Sequence, residues 1–384
     1  MQHAPKDPLA HLSDALAELE RAGLRRTPAV PTSGKELSFC SNDYLGLATR
    51  LAPPVATGAG ASRLIAGNRE VHRALERELA RWLGTEDALV FSSGYAANVG
   101  VLSALAGAGD LVVSDTLNHA SLIDGARLSR ARVAVVPHND VDAVRVALER
   151  RAEPRAWVAV ESYYSMDADG PDLGSLRQVC DAHGAGLLVD EAHALGVYGP
   201  SGRGRAAEAG VVPDVLVGTL GKSFGGQGAF AAGRTVLRDW LWNRARSFVF
   251  STGLAPVSAA SARSALVEVV DRPERAAHLL SMADRFRHGL ERAGAVPLAA
   301  ATSDPAGPRL LGFGHVIPVV VGAPEEAVRL AERLRRRAID AQAIRPPTVP
   351  AGTARLRFTV TARHQETDID RAIDAYAWAV SDAR

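Results

Sequence analysis

Cysteine is nearly absent from this 384-residue chain: Cys40 and Cys180 are the only two. Two thiols without metal-ligand spacing exclude a disulfide framework and suit a reducing compartment. An excess of one charge is equally lacking, since 44 basic against 43 acidic residues leave a formal net charge of +1. The chain therefore has no electrostatic footprint for nucleic acid or an anionic membrane. No run approaches eighteen uncharged apolar residues, so no membrane span is expected. The first ten residues contain Pro5, Lys6, Asp7 and Pro8 and no apolar core, which argues against a signal peptide and for a cytoplasmic protein. Internal repeats and low-complexity tracts are missing too. No Gly-x-Gly-x-x-Gly is complete: the nearest, Gly58-Ala59-Gly60, has Arg63 at its last position, which disfavours a nicotinamide enzyme.

What is present is an alternation of short apolar runs with helix-period segments, the pattern of an α/β layer with a mainly parallel sheet. The runs predict strands at 88–91, 111–114, 133–136, 157–160, 186–189, 215–218 and 229–232. In open α/β sheets ligands gather at the carboxyl ends of strands. Ser92-Ser93-Gly94-Tyr95, Glu161, Asp190 and Thr219 to Lys222 all fall there. After about residue 265 the texture changes. A strand is expected over 316–321, a helix over 325–339 with Ala327, Leu330, Ala331, Leu334 and Ala338 on one side, and another strand over 356–360. A final helix carries the stripe Ile369, Ile373, Tyr376 and Val380 behind a capping box at Thr367-x-x-Asp370. The arginines at 333, 335, 336 and 337 are expected on a solvated face. The organisation predicted is an N-terminal helical arm (1–39), a large cofactor-binding domain (40–265) and a small α+β domain (266–384).

The most informative pair of motifs is Leu188-Val189-Asp190-Glu191-Ala192-His193 followed by Thr219-Leu220-Gly221-Lys222-Ser223-Phe224-Gly225-Gly226. A lysine on a glycine-rich turn after a buried strand can form a Schiff base with an aldehyde. An aspartate at a strand end can hold a pyridine nitrogen protonated. Those are the two parts that pyridoxal phosphate (PLP) chemistry requires. Two rival readings share the letters. Asp-Glu-Ala-His occurs in helicases, and Gly-Lys-Ser ends a phosphate-binding P-loop, but the P-loop needs glycine where Leu216 stands and would precede the acidic box. Ser92 to Asn98 follows a strand and opens a helix-prone stretch whose N–H groups suit a phosphate. His119, in Asn118-His119-Ala120-Ser121, is either a surface histidine or a flat ring over the pyridine.

Phe39-Cys40-Ser41-Asn42-Asp43-Tyr44-Leu45-Gly46-Leu47, Asn118 to Ser121, Glu161 with Ser165-Met166-Asp167, Asp190 to His193, Gly218 to Lys222, and the tail from Ile344 to Arg357 together resemble the α-oxoamine synthase family. These are fold-type I, aspartate aminotransferase-like PLP transferases that condense an amino acid with an acyl-CoA and lose carbon dioxide. The tail, Ile344-Arg345-Pro346-Pro347-Thr348-Val349-Pro350 with Gly352-Thr353-Ala354-Arg355-Leu356-Arg357, is similar to that of the biotin-pathway member, which joins L-alanine to a pimeloyl thioester of CoA or a carrier protein. The resemblance implies roles for residues. Lys222 is the Schiff-base lysine, Asp190 pairs with the pyridine nitrogen, His193 lies near the ring hydroxyl and His119 stacks on the ring. Gly94, Tyr95 and Thr219 hold the phosphate, with Ser165 beside the cofactor. Arg357 clamps the amino-acid carboxylate; Asn42, Glu161 and Arg25 border the acyl substrate. Thr348 reaches in from a neighbouring subunit, which implies a homodimer. No metal is implied. The chain departs from the family in a shorter stretch between Leu47 and Gly58. Other members of the family and a non-catalytic PLP-binding regulator are the alternatives.

Overall fold

The computed structural model describes residues 7, 9–25, 36–297 and 307–381. Each of the seven apolar runs is a strand, longer than the pattern by one residue at one or both ends: β1 (Asp87–Phe91), β2 (Leu111–Asp115), β3 (Arg132–Val136), β4 (Ala156–Glu161), β5 (Gly186–Asp190), β6 (Val215–Thr219) and β7 (Ala229–Gly233). They form one sheet in the order β1-β7-β6-β5-β4-β2-β3, in which β7 alone runs against its neighbours. The continuous apolar runs follow from this topology. Side chains alternate between faces along a strand, so Leu111, Val113, Val158, Val160, Leu187 and Val189 fill one core while Val112, Ala159 and Leu188 fill the other. Helices Val141–Glu149 and Leu173–Ala182 cover the first; helices Gly94–Leu105, Ala120–Ser129 and Thr235–Arg244 cover the second. Parallel strands need cover on both faces because neither can be left to water.

Contacts divide the chain into two units. Residues 42–281 with Thr361–Arg363 form one, which contains the seven-stranded sheet; the described parts of 1–41, 282–360 and 364–384 form the other. The second unit has a five-stranded sheet of β8 (Val296–Pro297), β9 (Arg309–Leu310), β10 (Val316–Gly322), β11 (Gln342–Ile344) and β12 (Ala354–Thr359), in the order β11-β12-β10-β9-β8.

Three local features differ from the sequence pattern. The helix expected to reach Ile339 ends at Arg336: Ala338 takes a left-handed φ of 58°, and Ile339–Asp340 pairs with Leu37–Ser38 instead. The last helix begins at Glu366, so Thr367-x-x-Asp370 is not its cap. The Asp368 carboxylate accepts the Gln365 N–H at 3.0 Å, and Asp370 is taken by Arg285 at 2.9 and 2.8 Å. Of the arginine run, Arg333 and Arg337 are not simply solvated. Their guanidiniums lie 4.6 and 4.4 Å from the Trp378 ring centre, cation–π contacts that tie the C-terminal end of helix Pro324–Arg336 to the last helix.

Candidate active site

At the carboxyl edge of the large sheet, Glu161 and Asp190 are paired in register at the ends of β4 and β5, and Thr219 ends β6. The loops that leave these strands enclose a cavity of about 210 Å³. Eight residues expected at the site line it: Gly94, Tyr95, His119, Glu161, Asp190, His193, Thr219 and Lys222. Asn98 and Ser121, which sequence reading did not single out, line it as well.

Lys222 is held by its loop. Gly226 N–H donates to Leu220 O at 2.8 Å, Gly225 N–H to Lys222 O at 2.8 Å, and Leu220 N–H to Gly228 O at 2.9 Å. The glycines are required by shape: Gly225 has a φ of 59°, and a Cβ there would sit 2.3 Å from Ala48 N. The Lys222 amine lies 2.7 Å from His193 Nε2, and Nδ1 of the same ring lies 2.6 Å from the Tyr44 oxygen. Composition adds a signal that motif reading passes over. The chain has three lysines, Lys6, Lys35 and Lys222, and Lys222 is the only one among the described residues. In a chain that uses arginine almost everywhere else, Lys222 is a readily deprotonated amine where a guanidinium would stay charged.

Asp190 is 6% exposed. Its Oδ2 accepts from Asn98 Nδ2 at 2.6 Å and its Oδ1 from the Ala192 N–H at 2.8 Å. The His119 main-chain N–H donates to Glu161 Oε1 at 2.6 Å. His119 keeps an open face and so has the accessible area of an exposed residue. Even so, the surrounding protein pulls its pKa below the usual value; Asp190 opposes this and Lys222 adds to it. Burial also pushes Glu161 up to about 8, with the Asp190 charge adding and the His119 N–H opposing. Glu191 points away from this chemistry. It accepts from the Ser162 hydroxyl at 2.6 Å and from the Arg205 and Ala206 N–H groups at 3.0 and 2.6 Å, which ties the loop after β5 in place.

The phosphate end expected from the sequence is a helix N-terminus. Helix Gly94–Leu105 starts behind Ser93, whose hydroxyl accepts the Ala96 N–H at 3.1 Å. The Tyr95 hydroxyl donates to Asp124. Thr219 Oγ1 accepts from Gly221 N at 3.2 Å. The other expected residues stand elsewhere. Ser165 sits in the turn closed by the Tyr164–Asp169 bridge, outside the cavity lining. Asn42 Oδ1 accepts from the Tyr44 hydroxyl at 3.3 Å and does not line the cavity either. Arg25, Thr348 and Arg357 belong to the other unit. There Arg25 pairs with Glu20 at 2.5 Å beside a second cavity of about 410 Å³, Thr348 is exposed, and Arg357 is buried on β12 with its guanidinium 3.1 Å from Thr359 Oγ1. Arg63, the residue that breaks the glycine pattern, is buried against Glu76 and Asn68.

The arrangement fits PLP. A helix N-terminus with a threonine hydroxyl suits the phosphate, a buried carboxylate suits a cationic ring nitrogen, and a lysine amine suits the aldehyde. Among the described residues no cluster of His, Cys, Asp and Glu is arranged to hold a metal ion. The aminotransferase class I and II family profile matches residues 35–375. A curated protein named 8-amino-7-oxononanoate synthase, from Geobacter sulfurreducens, is 44% identical over 93% of this chain and 92% of its own length. Among solved structures, Sphingomonas wittichii serine palmitoyltransferase superposes with a TM-score of 0.88 at 30% identity over 98% of both chains. A serine palmitoyltransferase solved with PLP gives 0.88 at 28% identity, covering 98% of this chain and 99% of that one.

Proposed function

The chain belongs to the aminotransferase class I and II family, and on that premise we propose that it is a PLP-dependent acyltransferase joining L-alanine to a pimeloyl thioester. The products are 8-amino-7-oxononanoate, carbon dioxide and the free thiol, in biotin biosynthesis. The observation that carries the reading is the 44% identity, along nearly the whole chain, to a protein named for that reaction. The likeness to serine palmitoyltransferase is lower in sequence, at 30%, so alanine and a medium acyl chain are favoured over serine and palmitate.

Bound PLP supplies a protonated pyridine ring that takes up the negative charge developing at the amino acid's Cα. Asp190 would keep the ring nitrogen protonated, and its burial would make that charge pairing stronger than in water. Lys222 Nζ would anchor the aldehyde and, as a free amine, would take and return the alanine Cα proton. His193 hydrogen-bonds that amine and is itself oriented by Tyr44. His119 would cover the ring and Gly94, Tyr95 and Thr219 would hold the phosphate; Ser165, expected beside the cofactor, lies outside the cavity lining. Glu161, with its raised pKa, has a proton to offer near neutrality. Arg357 takes the alanine carboxylate as a bidentate clamp. Asn42, Glu161 and Arg25 border the acyl chain, whose donor is CoA or a carrier protein. Thr348 comes from a second copy of the chain in a cytoplasmic homodimer. Among the described residues no helix is long and apolar enough to cross a membrane.

Thiol release from a panel of acyl-CoA donors with alanine, glycine and serine tests the reading. Alanine with pimeloyl-CoA should give the highest kcat/KM; faster turnover with glycine and acetyl-CoA, or serine and palmitoyl-CoA, overturns it. In the same assay Arg357→Ala should raise KM for alanine about 10- to 150-fold, the equivalent of one charge-assisted contact, and leave KM for the acyl donor nearly unchanged.

A further inference from the structure

Asn98 lies on helix Gly94–Leu105, 2% exposed, with both amide hydrogens engaged: one goes to Asp190 Oδ2 at 2.6 Å and the other to Ser121 Oγ at 2.9 Å. A carboxylate can only accept, so the amide must face Asp190 with its nitrogen. That choice leaves Asn98 Oδ1 buried without a partner among the described residues. An unsatisfied buried carbonyl is a cost, and it persists here because two other interactions depend on the orientation. Ser121 is fully buried. With its oxygen accepting from Asn98, its hydroxyl hydrogen is directed to His119 Nδ1, 2.7 Å away, and the Ser121 N–H points at the same nitrogen from 3.2 Å. His119 Nδ1 is thereby an acceptor and its hydrogen sits on Nε2. One amide thus connects the carboxylate expected at the ring nitrogen with the imidazole expected over the ring face.

We propose that Asn98 is a positioning residue that holds the Asp190 carboxylate in place for the cofactor's ring nitrogen and, through Ser121, fixes His119 in its Nε2–H form. The proposal rests on the PLP reading of the cavity. Asn98 acts through Asp190 and His119 and takes no proton itself.

The test uses full-length protein loaded with PLP carrying ¹⁵N in the pyridine ring, with the nitrogen signal followed against pH in wild type, Asn98→Leu, Asn98→Ser and Ser121→Ala. The titration midpoint should fall by about one pH unit in Asn98→Leu, a tenfold loss of proton affinity. It should fall by less in Asn98→Ser, which keeps one donor, and remain in place in Ser121→Ala. The imidazole ¹⁵N shifts of His119 should show the Nε2–H form in wild type and a tautomer mixture in Ser121→Ala and Asn98→Leu. In turnover the two changes should be non-additive, with kcat reduced and KM for alanine within about threefold of wild type. If Asn98→Leu does not fold, Asn98→Ser and Ser121→Ala carry the same comparison. A midpoint unchanged in both Asn98 variants, whatever happens to kcat, overturns the proposal alone; wild-type protein that takes up no PLP overturns it together with the cofactor reading.

Discussion

His119 and His138 follow the ends of neighbouring parallel strands, β2 and β3, and the protein treats them in opposite ways. His138 is clamped at both nitrogens, Nδ1 at 2.9 Å from Asp115 Oδ1 and Nε2 at 3.1 Å from Asp169 Oδ1, with the Tyr164 ring edge-on at 4.5 Å. Burial works against its charge, but the two carboxylates overcome it and raise its pKa to about 10. The His119 ring meets the Ser121 hydroxyl and N–H instead, keeps an open face on the cavity, and is held below the usual histidine value by burial. A cluster whose members pair fully with one another is a brace, and its shifted pKa reports structure. A cluster whose members face an open cavity has capacity left for a ligand. Strong perturbation alone does not separate the two, since both kinds of cluster produce it.

Lys222→Ala should have the largest effect and fall on the cavity side of this comparison: turnover should drop by about 10⁴-fold, the upper end for loss of a proton-transferring group, while thermal stability stays near wild type. Asp190→Asn follows, with a rate loss of about 10²- to 10³-fold for removing one preorganised charge. An Asp190→Asn enzyme with normal turnover would make Asp190 a brace like Asp115. For His138 the expectation is reversed. Its pKa is raised on folding, so its contribution is complete below the unfolded value near 6.5 and is lost as pH rises through about 10. His138→Gln should therefore lower Tm at pH 7 by about 3–5 °C, as for one broken buried pair in a chain of this size, and by almost nothing above pH 10.5, with kcat changed less than about twofold. Glu161→Gln gives the subtlest signal. A carboxyl whose pKa rises to about 8 on folding destabilises the protein progressively between about pH 4.5 and 8. The variant should gain stability relative to wild type across that window and not below it; melting curves at pH 5 and 8.5 distinguish the two.

The contrast also explains what the sequence revealed. The strands of the large sheet were legible because most of them, the antiparallel β7 included, are covered on both faces and leave uninterrupted apolar runs such as Leu187-Leu188-Val189. Lys222, Asp190, Thr219 and Glu161 were legible because a strand end is where an apolar run stops at a polar residue. The His138 brace, the Arg63–Glu76 pair and the Asn98–Ser121 link were not. Each joins side chains thirteen or more positions apart with no periodic signature. The Thr367 capping box had the right letters, but Asp370 was claimed by Arg285, a partner 85 positions away. The absence of lysine almost everywhere else was a plain signal and pointed to the same residue as the motifs.

The cavity is expected to hold an aldehyde cofactor through one amine, that of Lys222. Loading the protein with PLP, reducing it with borohydride and mapping the labelled peptide by mass tests this directly, because only three lysines compete. The cofactor should be found on the peptide containing Lys222, and Lys222→Ala should carry none. Label on Lys6 or Lys35, or no label on the wild-type protein, would show that Lys222 does not hold the cofactor.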